Sequence, residues 1–249
     1  MKKGSLESER SGRRLVLPLL CFAALSVLFA CVSNSRRFTV EASNFHQPVL
    51  FVVAGIHGDE PSGLEAARLI EARSAGMESS DEGRGSVSLI VLAEANFAAL
   101  AAKSRVAPGG RDMNRLFPGD ASAGGESARA AEIFRAAMGG DLVLDLHEEG
   151  YAWAEADLPT LVVSAAAAEM AMDLLELLAE RGFHFAFTGS APEGSLVGEL
   201  AKRGKAALGV EVPARFPEDE RIALHLAVFE AAEQVLVDRF RRTGTMEGR

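Results

Sequence analysis

The most constraining feature of this chain is the run Pro48-Val-Leu-Phe-Val-Val-Ala54, continuously apolar, rich in β-branched residues and ended by Gly55. A strand that is apolar on both faces is covered on both faces, as in the interior of a parallel sheet. The pattern returns at 87–92, 142–146, 161–164 and 207–212, with 183–187 as a weaker strand. Between these runs, residues 64–72, 97–103, 127–138, 165–181, 196–203 and 222–241 carry apolar side chains at helical spacing. Strands that alternate with helices predict a single α/β domain over residues 48–241, with a central, mostly parallel (mixed) sheet and helices on both faces. At 249 residues and 48% hydrophobic, the chain has ample apolar side chain for such a core. Residues 76–85 read as a polar surface loop. Residues 105–123, with Pro, Gly and Asp throughout, read as a long irregular segment, and such segments in compact domains tend to be functional.

The first thirty residues read as an address. Lys2, Lys3, Arg10, Arg13 and Arg14 precede a charge-free apolar stretch from Leu15 to Ala30, which is the composition of a secretory signal peptide. Its end, Leu28-Phe29-Ala30-Cys31, resembles a bacterial lipobox, in which the Cys becomes the acylated first residue of the mature protein. An uncleaved membrane anchor and a cleaved soluble protein are the alternatives, and all three export the remainder. Residues 31–47 would then be a tether and 242–249 a tail. The net charge of −9 argues against a nucleic-acid partner, which needs a basic face. Residues 1–30 carry five basic and two acidic side chains, so the remainder is more acidic still, and membrane attachment falls to the lipid or anchor. Cys21 and Cys31 are the two cysteines, which leaves the body without a disulfide or a thiolate metal site.

Two histidines stand directly after buried strand runs, His57 in Gly55-Ile-His57-Gly-Asp-Glu60 and His147 in Asp145-Leu-His147-Glu-Glu. Ligands gather at the carboxyl ends of strands in open α/β sheets. His57, Glu60 and His147 make a two-His, one-carboxylate set, the pattern of a catalytic zinc that keeps a position for water. The bland reading makes each His a satisfied core or surface residue. Asp145 is either a turn carboxylate or an acceptor that steadies the site from behind. Arg105, Arg111 and Arg115 stand in the long loop, and Asn114 beside Arg115 suits recognition of a carboxylate, although loop arginines are often merely solvated. Glu211 interrupts the apolar run 207–212. It is either a proton-transfer group in a site or an outward residue of an edge strand.

Taken in order, Gly55-x-His57-x-x-Glu60, Arg105, Asp112-x-Asn114-Arg115-x-Phe117, Asp145-x-His147 and Glu211 resemble the signature of the zinc carboxypeptidase superfamily. The likeness is nearest to the succinylglutamate desuccinylase/aspartoacylase group and the bacterial murein peptide amidases. It spans residues 48–235, and Gly194-Ser195-Leu196 also looks like a segment of the short members. The resemblance implies a zinc carboxypeptidase-like fold and one zinc ion held by His57, Glu60 and His147. It implies Arg105 as the group that polarises the scissile carbonyl, with Asn114 and Arg115 binding the substrate carboxylate. Glu211 would be general base and acid, and Asp112 and Asp145 would support the ligands. Arg105 is favoured over Arg111 by its spacing from Asp112. Two departures bear on specificity. Members of the superfamily often supply a Tyr from a flap before the catalytic Glu, whereas the only tyrosine here, Tyr151, comes just after His147, and the extra C-terminal domain of aspartoacylases is expected to be missing. The resulting expectation is a zinc-dependent hydrolase cleaving an amide bond in a carboxylate-bearing envelope peptide. An N-acyl amino acid deacylase and an inactive envelope-binding lipoprotein are the competing readings.

Overall fold

The computed structural model describes residues 47–77, 87–149 and 158–244. The expectations for the signal segment, Cys31, the tether up to residue 46, Tyr151 and residues 245–249 fall outside them. The elements follow the order β1 (Val49–Ala54), α1 (Pro61–Met77), β2 (Ser88–Leu92), α2 (Phe97–Ala102), α3 (Gly125–Ala137), β3 (Leu142–Glu149), β4 (Thr160–Val163), α4 (Ala168–Glu180), β5 (Ala186–Thr188), α5 (Leu196–Ala201), β6 (Ala207–Pro213) and α6 (Glu218–Gly244). A short 3-10 turn, Met113–Arg115, lies within the long loop before α3.

The six strands form one sheet in the order β2-β1-β3-β6-β4-β5. β2, β1, β3 and β6 are mutually parallel, while β4 and β5 run the other way. The reversal has a local cause. A parallel return needs a crossover of about a dozen residues or more, usually a helix, and the connection from β3 to β4 is too short for one.

Strand alternation sorts the core into two layers. Leu50 and Val52 of β1, Leu144 and Leu146 of β3, and Leu208 and Val210 of β6 face α1, α4 and α6. Phe51, Val53 and Val143 point to the other face, against Ile133 and Phe134 of α3 and Leu196 and Leu200 of α5. Helices therefore cover both faces.

Two expectations shift. α1 begins at Pro61 rather than residue 64 and runs past Gly76, where a loop was expected. Pro61 opens the helix because proline is favoured in a first helical turn, where its missing N–H is an orphan anyway. Gly63 is there for space: a Cβ would come 3.0 Å from the Leu146 carbonyl oxygen, so it lets α1 lie close against β3. The weak strand at 183–187 is displaced to Ala186–Thr188. No helix among the described residues is long and apolar enough to cross a membrane.

Candidate metal centre and active-site cavity

His57 lies in the turn after β1, Glu60 immediately before α1, and His147 near the end of β3. All three reach the carboxyl ends of the parallel strands and are almost fully buried. His57 Nδ1 is 2.6 Å from Glu60 Oε1, and His147 Nδ1 is 2.8 Å from Glu60 Oε2. One ligand atom from each residue fits within 4.8 Å of the others, so the three face a common point.

The rear nitrogens are held as well. His57 Nε2 lies 3.0 Å from Asp112 Oδ1. His147 Nε2 lies 3.0 Å from Asp145 Oδ1, an ion-pair contact off the line of a hydrogen bond, so this oxygen has no hydrogen-bond partner among the described residues. Asn114 Nδ2 stands 3.3 Å from the same His147 nitrogen. A proton kept on His57 Nε2 by Asp112 leaves the Nδ1 lone pair turned toward Glu60, which is how metal-binding imidazoles are usually oriented. Two imidazoles and one carboxylate suit zinc, and three protein ligands leave a coordination position open. The residues fit the ion that the sequence implies.

Electrostatics agree with the geometry. Burial pulls the His57 pKa down, but hydrogen bonds to Asp112 and Glu60 outweigh it and the value is raised. His147 is fully enclosed, which also lowers its pKa, yet Asp145 and Glu60 carry it well above the ordinary histidine value. Burial would raise Glu60, while the neighbouring His147 and His57 hold it well below the usual carboxylate range. The cluster is built to hold positive charge, as protons or as a divalent cation.

Beside the ligands opens a cavity of about 840 Å³ lined by Arg105, Arg115, Glu211, Val162, Val197 and Gly209, among others. Glu211 stands on β6 in register with His147 on β3 and Thr160 on β4. Because β6 lies inside the sheet, the edge-strand reading of Glu211 is excluded. Burial raises its pKa, with Glu60 and Asp145 adding to the rise and His147 and His57 opposing it. Arg105 is half-exposed at the rim, 3.3 Å from both Glu60 Oε1 and Asp112 Oδ2. Arg111 is exposed on the loop.

The Met113–Arg115 turn is capped by Asp112, whose Oδ1 accepts from the Asn114 backbone N–H at 2.9 Å. Asn114 is buried, and its Oδ1 accepts the Leu196 N–H at 3.0 Å. Both ends of this amide are engaged within the protein. Of the two residues expected to bind a carboxylate, Arg115 therefore presents the exposed charge and Asn114 ties the turn together. The Phe117 N–H donates to the Gly194 carbonyl at 3.0 Å, so Gly194-Ser195-Leu196 clamps this loop from behind. Sequence reasoning passed over Glu148, whose N–H donates to Glu60 Oε2 at 3.2 Å, and Arg221, which pairs with Glu148. Glu148 sits between conspicuous neighbours, and Arg221 follows three acidic residues that read as a solvated helix start.

Comparison with solved structures places the fold in known company. A succinylglutamate desuccinylase/aspartoacylase from Rhodobacter sphaeroides is 20% identical with a TM-score of 0.55, covering 75% of this chain and 55% of that one. A metallo-carboxypeptidase from Burkholderia cenocepacia is 17% identical with a TM-score of 0.63, covering 80% and 60%. A D,L-carboxypeptidase from Helicobacter pylori, solved in its mDAP-bound form, is 18% identical with a TM-score of 0.60, covering 76% and 51%. At these identities the likeness is one of fold, and the chain spans little more than half the length of these proteins. No curated protein matches the chain. The model of the succinylglutamate desuccinylase/aspartoacylase catalytic domain matches residues 46–232, most of the chain and all of the cluster described above. The chain belongs to that family.

Proposed function

We propose that this protein is an exported zinc-dependent hydrolase that cleaves an amide bond in a small, carboxylate-bearing peptide of the cell envelope. The observation that carries the reading is the register of Glu211 with His147, which sets a half-buried carboxylate beside the three ligands at the edge of one cavity. Zinc, when bound, supplies Lewis acidity and lowers the pKa of a water molecule.

The other steps belong to side chains. The Glu211 carboxylate takes a proton from the attacking water, and its raised pKa brings it closer to working pH, as a general base requires. The same carboxyl then returns the proton to the leaving nitrogen. The Arg105 guanidinium, at the rim, stabilises charge that develops on the carbonyl oxygen. Arg115 pairs with the substrate carboxylate. The apolar floor of Val162, Val197 and Gly209 takes an uncharged part of the substrate.

Envelope location rests on the sequence of residues 1–31, and the mDAP-bound state of the Helicobacter pylori carboxypeptidase supports a peptide substrate. The family name favours a second reading, deacylation of an N-acyl amino acid. A panel of muropeptides and N-acyl amino acids, assayed beside metal analysis of the purified protein, separates the two. About one zinc per chain is expected, lost in His57→Ala and in His147→Ala. Full zinc retention in both variants refutes the ligand assignment. Zinc binding without turnover of either substrate class would leave the inactive binding lipoprotein as the answer.

A further inference from the structure

Glu148 follows His147 on β3 and so turns to the opposite face of the sheet, toward α1 and α6. There the carboxylate is buried and spends both oxygens. Oε1 accepts the backbone N–H of Ser62, the second residue of α1. Oε2 lies 3.2 Å from Arg221 Nη1 of α6. That guanidinium also donates to the Ala214 carbonyl at 2.7 Å, immediately after the strand that carries Glu211.

A buried ion pair could simply fasten α6 to the sheet, but the placement of this one does more. Pro61 opens α1 without an N–H, so Ser62 supplies the first amide hydrogen inside the helix, two residues after Glu60. Glu148 occupies that donor and puts negative charge at the positive end of the helix. Its own backbone N–H meanwhile donates to Glu60 Oε2 at 3.2 Å. One residue thus grips Glu60 twice, directly at the carboxylate and indirectly through the start of α1. His147 is its neighbour in the chain, so any shift of residue 148 moves two ligands relative to each other.

We propose that Glu148 and Arg221 form a positioning pair that sets the separation of Glu60 from the two histidines, and with it the zinc affinity. Through Ala214, Arg221 also fixes where β6 leaves Glu211. This proposal rests on the metal reading of His57, Glu60 and His147.

The test is the zinc dissociation constant, measured by chelator competition on the full chain well below the melting temperature. Loss of a group that supports a ligand typically weakens metal binding about 10–100-fold, and a weakening of that size is expected in Glu148→Ala and in Arg221→Gln. The two together should weaken binding no more than either alone, because they act as one unit. The comparator is Arg239→Gln, which breaks another α6 contact, 2.8 Å from Arg239 Nη2 to Asp173 Oδ2. It should lower the melting temperature and leave zinc affinity at the parental value. Should the single variants not fold, Glu148→Gln combined with Arg221→Met removes both buried charges together and carries the same expectation. Parental zinc affinity in the folded variants, whatever their melting temperatures, overturns the proposal. A parent protein that binds no zinc overturns the metal reading itself, and the positioning role with it.

Discussion

Glu211 is the residue at which position and chemistry are most tightly linked. As the proposed general base it would act only on the way to the transition state, so it should support turnover rather than ground-state binding. Glu211→Gln keeps the shape and a hydrogen-bonding end but cannot take a proton. Turnover should fall about 10²–10⁴-fold, with zinc content and melting temperature near parental. Near-parental turnover in the folded, zinc-loaded variant removes Glu211 from the reaction. His225 of α6 offers a separate measurement. It is fully buried, neither ring nitrogen has a hydrogen-bond partner among the described residues, and burial lowers its pKa to about 3. Since the folded value lies below the unfolded one, the neutral ring contributes its full stability above about pH 6.5. That contribution is lost as the pH falls toward 3, because only the unfolded chain then binds the proton. Across that window the loss is on the order of a few kcal/mol. His225→Leu should flatten the acid limb of a stability–pH curve measured by urea unfolding. An unchanged limb would mean that the ring is protonated in the fold.

Among the elements, the clamp formed by Gly194-Ser195-Leu196 governs how the Met113–Arg115 turn is presented. Gly194 has φ of 73°, and a Cβ there would run into the backbone carbonyl of Arg115. Gly182, after α4, has φ of 85° but open space around it. The pair separates backbone strain from collision. Gly182→Ala should cost about 1–2 kcal/mol, the strain of a left-handed residue alone. Gly194→Ala should cost more, and it should also raise KM for a carboxylate-bearing substrate by displacing Arg115. Equal losses in chemical denaturation with an unchanged KM would show that the clamp does not act on the turn. Gly63 on α1 illustrates the complementary case. Its small size permits close packing of α1 on β3, and that closeness brings Glu60 to His147.

At the scale of the whole molecule, the acidic body and its attachment are separable. The net charge of −9 gives no drive toward anionic lipid, so any association with membrane would rest on the acyl chains that the motif ending in Cys31 implies. Each buried CH₂ contributes about 0.8 kcal/mol. Cys31→Ser should therefore shift the protein from the membrane to the soluble fraction or arrest its processing. Fractionation and migration identical to the parent would defeat the lipoprotein reading.

Much of the architecture was legible because buried strands and amphipathic helices write their burial into the chain. The apolar runs at Val49–Ala54 and Leu142–Leu146 could hardly be anything but central strands, and His57 and His147 at their ends marked where a site would form. The ordered motifs from His57 to Glu211 carried the family. Tertiary structure decided the rest. The reversal of β4 and β5 depends on how a short connection can turn, which apolar periodicity does not record. That Glu211 lies inside the sheet follows from β6 inserting between β3 and β4, a matter of strand order. The engagement of Asn114 with Leu196, 82 residues away, and of Glu148 with Ser62, 86 residues away, was invisible for the same reason. A side chain's hydrogen-bond partner is set by which strands lie side by side. Local sequence specifies the pattern of burial, whereas that adjacency is chosen only when the whole sheet assembles.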